Sequence, residues 1–168
     1  MILSIISITI IATYLLYTGI KYGITKSISE SYYKLNKYEK PLFYFTLAGT
    51  SVTLWLSAAI NINNTVTVTI LGLATFLIAI VGVASAYKEI FIGRIHIIGA
   101  VSGYILGYLF IIVTYGWSSI FLVIPSGLIA LFVANWYDRH PEWENKNIYW
   151  IEVIGMFTIW LSVLITVI

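Results

Sequence analysis

The sequence predicts an all-α fold: one polytopic transmembrane bundle of six helices over residues 1–168, with both termini on the non-cytoplasmic side. Three observations predict it. Apolar residues make up 60% of the chain and charged ones 10%, with a mean hydropathy of +0.96. A soluble domain carries about 25% charged residues, so the expected solvent is lipid. Cutting the chain at its charged clusters leaves six continuous apolar stretches. All Lys and Arg residues then fall in alternate connections.

The stretches are Met1–Ile20, Pro41–Ile60, Val66–Ala86, Ile95–Thr114, Ser119–Asn135 and Ile148–Ile168. Each is long enough to cross ~30 Å of hydrocarbon at ~1.5 Å per residue, the fifth only just. They are continuously apolar rather than alternating with period two, which excludes a barrel. Abundant β-branched residues do not argue against helix here, because a span in lipid must satisfy its own backbone.

The first stretch lacks a basic n-region and an A-x-A-like site, so it reads as a retained span rather than a signal peptide. Pro41 opens the second where a first helical turn needs no N–H donor. Asn61–Thr65 and Tyr115–Ser118 are short uncharged turns. Residues 21–40, 87–94 and 136–147 are longer and hold all nine Lys and Arg. The positive-inside rule places these three in the cytoplasm. Tyr32, Tyr33, Tyr38 and Tyr44 bracket the first of them, and Trp136, Tyr137, Trp143, Tyr149 and Trp150 the last, as interface-anchoring aromatics do.

Composition also excludes. With no cysteine there is no disulfide, thiolate nucleophile or Fe–S cluster. A net charge of +2 without a basic helix gives no nucleic-acid footprint. No Asp, Lys or Arg lies mid-membrane, which speaks against a conventional channel or ion-coupled transporter.

Chemistry has few places to reside. Glu152 is the one carboxylate inside an expected span, and burying it costs several kcal/mol unless it is paired or protonated. It reads either as a proton relay or catalytic base, or as a shallow helix-start acid favoured by the N-terminal dipole. His96 begins the fourth span, and His140 follows Asp138 and Arg139 in the last loop. A zinc site needs three protein ligands. The available set is His96, His140 and one of Asp138, Glu142, Glu144 or Glu152, without a local motif such as H-E-x-x-H. Catalytic candidates are therefore His96, Glu152, Asp138 and His140, and metal candidates His96, His140 and Glu152. No cofactor is expected. The cytoplasmic ends of the fourth and sixth spans should bring His96 and Glu152 together as a pair.

Ser27, Ser29 and Ser31 alternate through Lys26–Lys34 and read as an amphipathic interfacial loop, able to cap a helix or meet a headgroup phosphate. Gly99, Gly103 and Gly107 recur every four residues in the fourth span, a strip that lets another backbone approach within the bundle or across a homodimer. Thr50, Ser51, Thr53 and Ser57, with Thr67, Thr69 and Thr75, should bond neighbouring helices or their own i−4 carbonyls.

The segment Ser27–Leu35 (SISESYYKL), Tyr87-Lys88-Glu89 with His96-Ile97-Ile98-Gly99-Ala100, and Trp150-Ile151-Glu152 resemble pieces of small uncharacterised membrane proteins of Bacteroidetes and their phages. The resemblance implies a six-span fold and a bacterial inner membrane, and no activity. Ceramidase-like membrane hydrolases are a second comparison. They have more spans and a three-His zinc site with an Asp and a Ser, and this chain, with His96 and His140 alone, departs from that pattern. The expected function is a non-enzymatic helical bundle binding lipid, a small molecule or a membrane partner, itself included. The alternative is a membrane-embedded hydrolase with its site at the cytoplasmic interface.

Overall fold

The computed structural model describes residues 1–85, 90–138 and 146–168, the side chains of Ile90, Tyr137 and Asp138 excepted. Its regular structure is entirely helical among those residues. The elements are α1 (Ile2–Tyr22), a single turn α2 (Ser31–Lys34), α3 (Lys40–Asn61), α4 (Thr65–Val83), α5 (Ile90–Tyr115), a 3-10 turn (Gly116–Ser119), α6 (Ile120–Asp138) and α7 (Asn147–Val167).

Five of the helical stretches are long and apolar enough to cross a membrane, which makes this a membrane protein. One of them, Phe91–Trp136, is 46 residues long. It is not one rod. Gly116 takes φ 53°, a value that favours glycine. The Tyr108 hydroxyl lies 3.3 Å from Ser126 Oγ, whereas 18 residues of straight helix would separate them by ~27 Å. The stretch therefore folds back at the 3-10 turn, and α6 returns beside α5 to pack on α7.

Local chemistry sets the boundaries. Asn36 Oδ1 accepts the N–H groups of Tyr38 (2.9 Å) and Glu39 (3.1 Å), while Glu39 Oε2 accepts the N–H of Asn36 at 3.0 Å. This reciprocal capping box starts the turn that leads into α3. Pro41 follows in the helix's first turn, as expected. Asn64 caps α4 by accepting the Thr67 N–H at 3.2 Å. Three expected boundaries shift by three residues or more, one of them the end of the third span, expected at Ala86 and found at Val83. The fourth span was expected to begin at Ile95, but α5 begins at Ile90 and carries the exposed Arg94 within it; a long Arg stem lets a helix hold such a charge near its end. The fifth was expected to end at Asn135, but α6 continues to Asp138.

Helices α1, α3 and α7 meet through hydroxyls. The Trp160 indole N–H donates to Ser7 Oγ at 2.6 Å. Ser7 Oγ donates to the Thr50 carbonyl at 2.8 Å, and Ser4 and Ser57 share a hydrogen bond of 2.6 Å. Thr50 and Thr53 bond back to their own i−4 carbonyls. Ser51 Oγ is buried without a partner among the described residues.

The glycine strip of α5 divides between two neighbours. A Cβ at Gly99 would lie 3.2 Å from the Leu77 carbonyl oxygen, and one at Gly103 would lie 2.8 Å from Ile78 Cδ1, both on α4. At Gly107 a Cβ would collide with Ile159 of α7. Each glycine thus marks a close approach inside one chain.

Candidate functional site

The segment between α1 and α3 was expected to lie at the interface. Instead it turns into the lysine-bearing end of the bundle. Thr25, Ile28, Ser29, Ser31 and Leu35 are all buried, and Tyr32 packs among Phe43 and Tyr44 rather than facing headgroups. Non-helical backbone at this depth must find partners in protein, and it does. The Ile28 N–H donates to Glu152 Oε2 at 2.6 Å. The Tyr149 N–H donates to the Lys26 carbonyl at 3.0 Å. Ser31 Oγ donates to the Ile28 carbonyl at 2.6 Å and meets the Tyr14 hydroxyl at 2.5 Å. The segment is a plug, latched to α1, α5 and α7.

His96 holds it from the α5 side. Its Nδ1 lies 2.9 Å from the Ala84 carbonyl. A carbonyl only accepts, so Nδ1 carries a proton. Its Nε2 faces Ser29 Oγ at 2.8 Å. Ser29 and His96 are each 6% exposed. This Ser–His contact joins residues 67 positions apart, and no sequence motif announced it.

The direct pairing of His96 with Glu152 is replaced by a bridge. His96 takes Ser29 and Glu152 takes Ile28, so the two candidates engage consecutive residues of the plug. The reason is the plug itself, which brings an unpaired backbone donor between them. Tyr104 joins the assembly by donating to the Glu152 carbonyl at 2.9 Å. Ser29 and Ser31 point inward and are taken, which rules them out as a headgroup site. Ser27 caps the plug's own turn by accepting the Glu30 N–H at 3.1 Å.

Between Ile28, Ser29, Leu47, Val81, Tyr104 and Glu152 lies a cavity of ≈ 20 Å³, room for about one water. Larger spaces lie on the outer surface as apolar grooves. One of ≈ 460 Å³ runs between α3 and α4 past Trp55 and Gly72, and one of ≈ 500 Å³ runs between α1 and α7. Among the described residues no three His, Asp or Glu side chains gather as a metal site. Asp138 closes α6, but its side chain lies outside the described residues, as do His140, Glu142 and Glu144.

A second polar cluster lies at the same end, on the α3 side of α1. Glu39, 9% exposed, accepts from Lys21, Tyr17 and Tyr22. The Lys21 ammonium, with the two phenols, holds its carboxyl at about 2, below the usual 4.5. Sequence reading passed over this residue, although Asn36-x-x-Glu39 is a capping-box signature.

Together these features define a helical membrane bundle plugged at one end. No protein-family model, curated protein or solved structure matches the chain.

Proposed function

We propose that the chain is a six-span, non-enzymatic bundle of the bacterial inner membrane, with both termini outside, and that it works by binding lipid or a membrane partner along its outer grooves. One observation carries this reading. Among the described residues the plug occupies His96 and Glu152, and it leaves beside them a cavity of ≈ 20 Å³, too small for a substrate. The fold-back at Gly116 supports six crossings, and the nine Lys and Arg, confined in sequence to alternate connections and the adjoining helix ends, support the orientation. Glu152 and His96 act here as structural latches that satisfy buried backbone and hydroxyl groups.

A second reading has one specific observation in its favour. Ser29 Oγ and His96 Nε2 lie at nucleophile–base distance, with the far ring nitrogen oriented by a carbonyl. A membrane hydrolase would need the plug to open. Both readings are tested on detergent-purified protein by elemental analysis and by labelling with a fluorophosphonate probe. The non-enzymatic reading expects substoichiometric metal and no labelled serine. Covalent labelling of Ser29 that vanishes in His96→Ala would replace it with the hydrolase.

A further inference from the structure

The groove between α1 and α7 has a direction. Its lining runs from Ala12 to Ile20 on α1 and from Phe157 to Tyr149 on α7. Both walls cover eight residue steps, ~12 Å of helix. That is close to the acyl depth of one leaflet in a ~30 Å hydrocarbon core. The deep end is apolar. The shallow end carries Tyr149 and Trp150, the amphipathic rings that sit at headgroup level.

Two lysines flank the same end through their backbone. The Lys26 carbonyl bonds the Tyr149 N–H, which sets Lys26 against the groove wall, and Lys26 is exposed. Lys146 lies one turn before Trp150 and accepts its N–H. The ion pair formed among the described residues is Lys21–Glu39, on the opposite side of α1. Lys26 and Lys146 stand outside it.

We infer that the α1/α7 groove seats one anionic glycerophospholipid, an acyl chain along Ala12–Ile20 and Tyr149–Phe157 and the headgroup phosphate between Lys26 and Lys146. The groove supplies length and apolarity, and the lysines supply the preference for negative charge. This inference rests on the lipid-binding reading and names the lipid and its place.

Gly19 makes the test clean. It lines the groove, and a Cβ there would meet nothing within 4 Å, so Gly19→Phe fills the groove from an unstrained position. The protein is exchanged into detergent with phosphatidylglycerol or phosphatidylcholine, and retained lipid is counted by native mass spectrometry. The wild type should retain one phosphatidylglycerol with roughly tenfold preference, as two surface lysines allow. Lys26→Ala with Lys146→Ala should erase the preference, and Gly19→Phe should erase the bound lipid, both at wild-type melting temperature. Gly127→Phe, on α6 and away from both grooves, should change neither. Equal retention of the two lipids, or full retention in Gly19→Phe, overturns the site while lipid binding stands. A wild type that retains no lipid overturns both. If Gly19→Phe melts early, the lysine pair alone decides, because Lys26 is exposed and Lys146 is partly so.

Discussion

Glu152 accepts the backbone N–H of Ile28 at 2.6 Å across 124 residues of chain. The contact fixes a non-helical segment inside the end of a helical bundle. It also gives an intramembrane acid a structural task that a glutamine could do. Glu152→Gln should hold stability within ~1 kcal/mol. Glu152→Leu leaves the Ile28 donor dry and unpaired and should cost ~1–3 kcal/mol. Melting in a single detergent, with amide exchange at Ile28, measures both. A leucine variant as stable as wild type would remove Glu152 from the latch.

Gly107 and Gly127 form a matched pair for packing. A Cβ at Gly107 collides with Ile159, while one at Gly127 meets nothing within 4 Å. Gly107→Ala should destabilise by ~1–3 kcal/mol through overpacking. Gly127→Ala should be neutral or stabilising by up to ~1 kcal/mol, since alanine is the better helix former. Gly103→Leu should be worse than Leu106→Ala, because Ile78 and the Ala74 carbonyl stand in its way. Equal melting temperatures for Gly107→Ala and Gly127→Ala would place the strip against lipid.

Glu39 sets an acid limb on stability. Its folded value of about 2 lies below its ordinary 4.5. The stabilisation is therefore complete above about 4.5 and is lost as pH falls toward about 2. Melting temperature should drop across that window in the wild type. In Glu39→Gln the drop should be smaller, and the variant should start lower at neutral pH. Parallel pH profiles for the two proteins would show that the cluster with Lys21, Tyr17 and Tyr22 contributes nothing.

The proposed topology rests on the placement of Lys and Arg in the sequence. Asn63 and Lys34 are both exposed, and the chain has no cysteine, so single cysteines report without background. In intact cells an impermeant thiol reagent should modify Asn63→Cys and spare Lys34→Cys. The opposite pattern would invert the protein in its membrane.

The long helices were legible because lipid imposes one rule on every residue that faces it. A run of apolar side chains ended by charge is sufficient signal for α1, α3 and α7. Boundaries were less so. Arg94 breaks the apolar run but not the helix, because a long Arg stem lets α5 hold such a charge near its end. The plug was illegible for a different reason. The alternation of Ser27, Ser29 and Ser31 describes a surface, and nothing near them in sequence says otherwise. Their partners come from elsewhere: Tyr14 bonds Ser31, and His96 bonds Ser29. His96 and Glu152 were singled out from the sequence as the unusual polar residues at one end. They meet consecutive residues of the plug, Glu152 a backbone N–H and His96 a serine hydroxyl, and neither contact has a local sequence signature.

The latch also dictates an order of events during synthesis. Glu152 emerges from the ribosome long after Ile28, and the Trp160 indole reaches Ser7 across 153 residues. Until α7 inserts, the segment around Ile28 has neither its carboxylate nor the Tyr149 amide that holds Lys26. A nascent chain stopped after α6 would leave that segment, with its unpaired amides, open to proteolysis. Completion of α7 would bury the same residues. Protection of residues 24–35 thus depends on the last helix being in place, and a truncated chain would differ from a finished one in that segment.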